Sequence, residues 1–366
     1  MKSNHNVKDK DQFYLGWQVG ITYESAQPEG NSLPRLECLL GEMAGAGMNL
    51  LSLMMVSYAY FDPTHDGFCW PVANPQLECL RDNACLNARE ETEFVAELIT
   101  LAHGRGIDVQ LFTNLAIYNP ERITVSYPGA QLQLSESGAA RKWLYCPVNA
   151  DAWQLENDEI MDLLGRYAPR GVASVAYERL SVAAGTCRCE SCAQRFFEES
   201  GRNLDEEEAG SAVFEAWKTD LITEKMSALN RAVKTAHPGT QVWLHSSCAP
   251  GWGHDPARLA GAGVDCIVPH VAHAVMEKRD FDALLDRLAP NDTVLHFCVR
   301  NRALPHYPIW EKTPADIAEI GGWALDYARR NDRMKGILFF NENTVSAENR
   351  RAVYRLAVRF RNSLNG

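Results

Sequence analysis

The sequence reads APRGVASVAYE from residue 168 to residue 178. Gly171 stands before a short apolar run, and Glu178 is the residue at the end of that run. Because glycine ends a helix without strain and β-branched residues favour strands, this order predicts a helix, a tight turn and a buried strand. The same order of a glycine break and an apolar run recurs at GAGMN (45–49), GRGID (104–108) and GAGVD (261–265).

Eight apolar runs of this kind alternate with longer amphipathic stretches along the chain. Their residue ranges are 16–24, 48–57, 107–114, 172–178, 241–247, 264–271, 293–300 and 335–342. Between them, apolar residues recur at three- and four-residue intervals, as helices require. Eight strand–helix pairs without a linker predict a single α/β domain, a closed (β/α)₈ TIM barrel over residues 13–366 behind a flexible tail of residues 1–12. An open doubly wound sheet is the alternative, but no G-x-G-x-x-G follows the first strand.

Composition narrows the classes of partner. The formal net charge of −11 argues against a surface for nucleic acid or an anionic membrane. The sequence contains no run of about 18 apolar residues, so it predicts no membrane span. The first residues, MKSNHNVKDKDQF, do not resemble a signal peptide. We therefore expect a cytoplasmic protein, and the composition leaves open whether identical chains associate.

Polar side chains are predicted to converge at one end of the barrel. Barrel enzymes carry their chemistry at the carboxyl ends of the strands, and side chains alternate between the barrel interior and the helix layer. This alternation places the following polar residues at the barrel mouth: Glu24, Asn114, Glu178, His245, His270, Arg300 and, depending on the phase of the eighth strand, Glu342. Such a polar ring is typical of a site for a small molecule.

Residues of the loops around this mouth complete a predicted substrate-binding set. Tyr58 and Trp252 belong to a group of loop aromatics that could stack on sugar faces. Arg300, followed by Asn301, could hold the carboxylate or sulfate of an acidic sugar, or form a structural salt bridge instead. The whole predicted set is Tyr58, Asn114, His245, Trp252, His270, Arg300 and Asn301.

A cluster of cysteines follows the fourth predicted strand. The segment TCRCESC brings together Cys187, Cys189 and Cys192, and Cys146 in RKWLYCPVN lies in the preceding loop of the same rim. Four thiolates can close a tetrahedral shell around Zn²⁺. The spacing therefore predicts a structural zinc in a loop region of about residues 140–200. The alternative is that these are buried cysteines without a metal.

The chain here resembles the β-galactosidases of glycoside hydrolase family 42. In that family a glutamate that ends the fourth strand is the acid/base, and a C-x-C-x-x-C follows it, with an earlier cysteine completing a zinc site. Glu178 precedes Cys187, Cys189 and Cys192 by nine, eleven and fourteen residues, and Cys146 stands in CPVN. The resemblance implies a (β/α)₈ catalytic barrel, a four-cysteine zinc site and an acid at Glu178.

Two positions depart from the pattern of that family. Tyr177 stands where the family has an asparagine before the acid/base. The seventh predicted strand, in LHFCVRNR (295–302), ends without the carboxylate that serves the family as nucleophile.

These observations lead to a glycoside hydrolase-like hypothesis with Glu178 as general acid and a carbohydrate as substrate. Because the seventh-strand nucleophile is missing, we expect an inverting reaction in which Glu342, or as second choice Glu24, activates water. One alternative is a metal-dependent isomerase or hydrolase that binds its metal through Glu178, His245 and His270. Another is a carbohydrate-binding barrel without catalysis.

Overall fold

The computed structural model describes residues 13–21, 32–57, 66–82, 85, 93–115, 120–178, 180–271, 277–300 and 311–364. Eight parallel strands form the centre of this part of the chain. They are β1 (Tyr14–Gly20), β2 (Leu50–Met54), β3 (Asp108–Asn114), β4 (Ser174–Glu178), β5 (Gln241–His245), β6 (Cys266–Val268, continued by His270–Val271), β7 (Thr293–Cys298) and β8 (Met334–Phe340).

Each strand pairs in parallel with the next, and the ring is closed. Strand β6 joins β5 and β7, β7 joins β8, and β8 returns to β1. Every run predicted as a strand overlaps one of the eight, so the predicted (β/α)₈ barrel is confirmed. None of the described helices combines the length and apolar character that a membrane crossing needs.

Helices cover the outside of the barrel. They are α1 (Leu33–Ala46), α2 (Phe94–His103), α3 (Pro120–Ile123), α4 (Ala150–Tyr167), α5 (Glu190–Ser200), α6 (Ala212–Ala236), α7 (Pro256–Leu259), α8 (Lys278–Leu288), α9 (Pro314–Ala328) and α10 (Ala347–Leu364). Their ends follow the sequence closely. Ser32 caps α1, Gly47 ends it with a φ of 76°, and Thr313 with Asp316 forms a capping box on α9.

Short antiparallel strand pairs and 3₁₀ turns lie in the connections between the barrel strands and the helices. Val56–Ser57 pairs with Gly67–Phe68, and Leu132–Leu134 pairs with Ala140–Tyr145, both in antiparallel fashion. Short 3₁₀ turns lie at Pro75–Leu80, Ala168–Arg170, Leu204–Glu206 and Glu342–Thr344.

The alternation of side chains along the strands is the one expected from the sequence. Trp17 packs edge-on against Tyr354 of α10, and the Tyr177 hydroxyl donates to Asn230 of α6 over 3.1 Å, so both point into the helix layer. The opposite face lines the barrel. There Ser52 donates to Gln110 over 2.8 Å, and Gln110 donates to Ser174 of β4 over 3.2 Å.

Most of the acidic segment 199–215 is exposed. Two apolar side chains, Leu204 and Phe214, are nevertheless completely buried. Arg188 of the cysteine loop donates to the carbonyl oxygens of Leu204 and Glu207 and stacks over the Phe214 ring. The segment therefore packs against the cysteine loop instead of lying free in solvent.

Candidate functional site

Glu178 is the last residue of β4, and it faces the end of β3. Its ladder partner is Asn114, whose side-chain amide donates to Glu178 Oε2 over 3.0 Å. Asn114 is buried, while Glu178 is partly exposed. The backbone N–H of Leu115 also donates to the Glu178 carbonyl over 3.1 Å. A carboxyl group held in this way keeps one position while it remains accessible from the mouth.

Three histidines meet on the strands that follow. His245 ends β5, His270 lies in the continuation of β6, and His296 lies in β7, where it is the ladder partner of His270. One ring nitrogen from each lies within 4.8 Å of the other two. The sequence predicted His245 and His270 at the mouth, and the structure brings these two together.

His296 joins this cluster, although the sequence analysis did not include it among the site residues. Its inward phase was the available signal, because it alternates with Leu295 and Phe297, which face the helices. His296 and His245 are each 3% exposed, whereas His270 is half-buried. The imidazole of His296 lies 2.8 Å from Gln18 Oε1, and the phenyl ring of Phe112 packs edge-on against His245. Neighbouring side chains therefore set the orientation of both buried rings.

Glu342, the first choice for a second catalytic group, lies elsewhere. Its side chain is fully buried and forms ion pairs with Arg35 of α1 and Arg350 of α10. The 3₁₀ turn Glu342–Thr344 starts two residues after the end of β8, so the alternation of the strand no longer sets the direction of this side chain. The structure brings Glu342 together with two cations of the helix layer, and not with Glu178.

The remaining predicted residues divide into two groups. Arg300 is 4% exposed, and its carbonyl accepts the N–H of Lys312 over 2.6 Å. Trp252 is half-buried in the loop after β5, where its carbonyl accepts the N–H of Val182 over 3.3 Å. Three other predicted site residues, Glu24, Tyr58 and Asn301, lie outside the described residues.

His254 ties together the loops that follow β4 and β5. Its Nδ1 lies 2.7 Å from the Ser246 hydroxyl, and its Nε2 lies 2.8 Å from the Leu180 carbonyl oxygen. A carbonyl can only accept, so Nε2 carries the proton and Nδ1 accepts from Ser246. Desolvation of the ring lowers the pKa of His254 below its ordinary 6.5. The neutral ring is thus the form that holds the two loops.

Replacing His254 with Gln is expected to lower the free energy of unfolding by about 1–3 kcal/mol at neutral pH, because one hydrogen bond between the loops and one within the β5 loop are changed. The folded pKa lies below the unfolded value, so this stability is fully present above about pH 6.5 and is lost as the pH falls through the folded pKa. Urea unfolding of both proteins should show a difference that shrinks on acidification. A difference independent of pH would contradict this role of the neutral ring.

The four predicted cysteines lie together next to the base of the β4 loop. Cys146, Cys187, Cys189 and Cys192 are buried, and their sulfur atoms all lie within 4.8 Å of one another. The Cys146 sulfur is 3.4 Å from both Cys189 Sγ and Cys192 Sγ. The backbone N–H of Leu134 donates to Cys187 Sγ over 3.3 Å. Such a cluster of soft ligands, with an N–H donor beside one sulfur, could hold a metal ion.

Electrostatics favour a cation in this cluster. Hydrogen bonds from Cys146 and the other two thiols lower the pKa of Cys189, whereas the same contacts raise the pKa of Cys192. Four thiolates in one buried space repel one another, so a positive charge is needed to keep all four deprotonated. The donor set and its burial fit a single divalent metal ion with a preference for sulfur.

A buried glutamine connects this cluster to the loop that follows Glu178. Gln133 donates to the carbonyl of Tyr145, next to Cys146, and to the carbonyl of Ser181 in the β4 loop, over 3.1 and 2.6 Å. Its Oε1 accepts the hydroxyl of Thr186, next to Cys187, over 2.8 Å. The loop that follows Glu178 is therefore fixed at both ends, by the strand and by the cysteine cluster.

Comparison with known proteins supports the fold and little more. No family profile matches the chain, and no curated protein matches its sequence. Among solved structures, the PgaB (BpsB) glycoside hydrolase domain from Bordetella bronchiseptica aligns with a TM-score of 0.68 at 12% identity, covering 94% of this chain and 98% of that one.

Two larger enzymes align over a comparable part of this chain. Gan42B, a GH42 β-galactosidase from G. stearothermophilus, gives a TM-score of 0.63 at 12% identity and covers 97% of this chain and 56% of its own. An α-L-fucosidase isoenzyme from Paenibacillus thiaminolyticus gives 0.64 at 14%, with 96% and 49% covered. The chain spans about half the length of these two proteins. At such identities the likeness establishes the shared fold alone.

Proposed function

We propose that this protein hydrolyses a glycosidic bond and that Glu178 is the general acid. The observation that carries the proposal is the Glu178 carboxyl, which lies at the carboxyl end of β4, partly exposed and held at 3.0 Å by Asn114. Protonation of a leaving oxygen needs a fixed and accessible carboxylic acid of this kind. The structurally similar proteins support the proposal, since they are a glycoside hydrolase domain, a β-galactosidase and a fucosidase.

The second group of such a reaction is proposed at Glu24. Inversion requires a carboxylate that activates water on the opposite face of the sugar. The ion pairs of Glu342 with Arg35 and Arg350 occupy its carboxylate, so we do not retain Glu342 for this role. Glu24 follows β1 in the sequence and belongs to the residues outside the described ranges. The inverting outcome remains part of the proposal.

We also propose that the metal in the cysteine cluster is Zn²⁺. A closed shell of Cys146, Cys187, Cys189 and Cys192 leaves no position for a substrate or water. The role of the zinc ion is then to hold the β4 loop next to Glu178. The same proposal assigns sugar contacts to Trp252 and His270, which are the half-buried members of the predicted substrate-binding set, and an anionic sugar group to Arg300.

The proposal is tested with the zinc-loaded protein and a panel of aryl glycosides and natural oligosaccharides, including neutral and uronic-acid sugars. We expect release of a reducing sugar from at least one member, and proton NMR of the first-formed anomer should show inversion. A protein that binds a sugar with measurable affinity but hydrolyses none of the panel would support the non-catalytic carbohydrate-binding barrel. Retention of configuration would contradict the role of Glu24.

Replacing Asn114 with Ala is expected to lower kcat about tenfold to a hundredfold and to leave KM almost unchanged. The amide holds one oxygen of Glu178, and a hydrogen bond to a charged group contributes about 1.5–3 kcal/mol. Steady-state kinetics on the best substrate measures the effect. Asn114→Asp should be worse than Asn114→Ala, because a second carboxylate beside Glu178 replaces a donor with a repulsive charge. Equal activity in all three proteins would contradict the positioning role.

A further inference from the structure

We propose that His245, His270 and His296 bind one divalent transition-metal ion, at a site separate from the four-cysteine cluster. The inference does not depend on the proposed glycosidase activity. The three side chains come from consecutive strands, β5, β6 and β7, and offer one nitrogen each within a common distance of 4.8 Å. Imidazole nitrogens suit zinc, nickel, copper and iron, whereas magnesium and calcium prefer oxygen ligands.

The distance between two of these nitrogens agrees with a metal polyhedron. His245 Nδ1 and His270 Nε2 are 3.3 Å apart. Two nitrogens bound tetrahedrally at about 2.0–2.1 Å from Zn²⁺ are separated by about 3.3–3.4 Å. The same separation is also within hydrogen-bond range, so the nitrogen of His296 beside these two is what makes the group suitable for one metal ion.

A hydrogen bond at one ring nitrogen of His296 leaves the other ring nitrogen able to bind the same ion. Its Nε2 lies 2.8 Å from Gln18 Oε1, an atom that can only accept. The proton is therefore on Nε2, and Nδ1 carries the lone pair. Ligating histidines usually donate their other ring N–H to a carbonyl or carboxylate in this way, which fixes the ring and its tautomer. Gln18 of β1 provides that carbonyl.

The site has the form of an open metal centre. His245 and His296 are buried on the inner wall, whereas His270 is half-buried and lies on the side of the mouth. The ladder pairs Tyr177 with Leu244, so Glu178 stands level with His245 on the neighbouring strand. Three protein ligands leave at least one position for water or a small anionic ligand. The alternative derived from the sequence had Glu178, His245 and His270 as metal ligands. In the structure the third residue of this group is His296.

Metal analysis of the full-length protein tests the inference. We expect two equivalents per chain after equilibration with Zn²⁺, one in the cysteine cluster and one on the histidines. Titration with Co²⁺ should show one site with sulfur-to-cobalt charge-transfer absorption and a second site with only ligand-field bands. His270→Ala should weaken metal binding at the second site at least about a hundredfold and leave binding at the first site unchanged. Loss of a residue that only hydrogen-bonds to a metal ligand already costs about ten- to a hundredfold in affinity, and His270 is itself a ligand.

His237→Ala is the matched control, since His237 precedes β5 at the opposite end of the barrel and should keep both equivalents. His296→Gln, which keeps a polar side chain of similar size, provides a second ligand variant if His270→Ala folds poorly by circular dichroism. Two results would overturn the inference. One is a wild-type protein that binds no Zn²⁺ or Co²⁺ beyond the cysteine cluster. The other is a second equivalent that persists in both ligand variants.

Discussion

Replacing Glu178 with Gln should lower turnover of a natural glycoside by a factor of about 10²–10⁴ while the protein stays folded. Gln is nearly isosteric and can still accept from the Asn114 amide, so the 3.0 Å contact at the end of β3 survives. What is lost is the acidic proton that the leaving oxygen needs. Steady-state kinetics measures the turnover of the wild type and of the variant, and the thermal unfolding midpoint measures their stability separately.

The choice of substrate makes this prediction specific to proton donation. An aryl glycoside with an acidic phenol as leaving group needs little protonation, so Glu178→Gln should lose much less activity on it. Glu198→Gln is the matched control, because Glu198 is an exposed residue of α5 and should retain full activity. An equal loss on both kinds of substrate would assign Glu178 to binding or structure instead of acid catalysis.

The second large effect is expected at the cysteine cluster. Cys189→Ser should weaken metal binding there strongly, because the remaining three sulfurs leave the fourth position of the tetrahedral shell without a thiolate. Structural zinc sites contribute strongly to folding, with apparent binding free energies of about 10–16 kcal/mol in small zinc peptides. We expect the loop between Glu178 and α5 to unfold locally while the barrel persists, since eight strands and their helices supply a separate core.

Limited proteolysis, metal content and circular dichroism check this prediction together. The variant should be cleaved rapidly within about residues 180–192, have one metal equivalent fewer than wild type and keep most of its helical signal. Cys266→Ser is the control, because Cys266 is buried in β6 outside the cluster and should leave the metal content unchanged. A wild-type protein that binds no metal through its cysteines, or a Cys189→Ser variant that keeps its full metal content, would refute the proposal.

The two metal predictions are independent of each other. Cys189→Ser removes the site with sulfur ligands, and His270→Ala removes the site with nitrogen ligands. The cobalt spectrum identifies which one is missing. If Glu178→Gln is inactive while His296→Gln, which removes a nitrogen ligand that has no assigned sugar contact, keeps full activity, the metal of the histidines is not required for hydrolysis. Loss of activity in both would place the two groups in one reaction.

The local sequence predicted the order of elements and the phase of the strands. Glycine breaks such as those at Gly47 and Gly171, both with positive φ, mark the helix-to-strand turns. Within a strand, alternation has a strict period of two, so inward residues such as Gln18 and Asn114 followed from their neighbours. The spacing of the cysteines predicted their cluster for a similar reason, because adjacent loops of a barrel meet at its rim.

Tertiary structure alone decided the partners of the chemical groups. Glu342 follows β8 by two residues, where the alternation of the strand has ended, and the distant Arg35 and Arg350 determine where its carboxylate lies. His296 lies within β7, where the pairing with β6 brings its ring to His270, and the curvature of the closed barrel brings it to His245 two strands away. Periodicity is a local property of the backbone, whereas the distance between side chains on different strands depends on how the sheet closes. The sequence by itself therefore determined which residues face the barrel interior, and the closed barrel decided which of them meet.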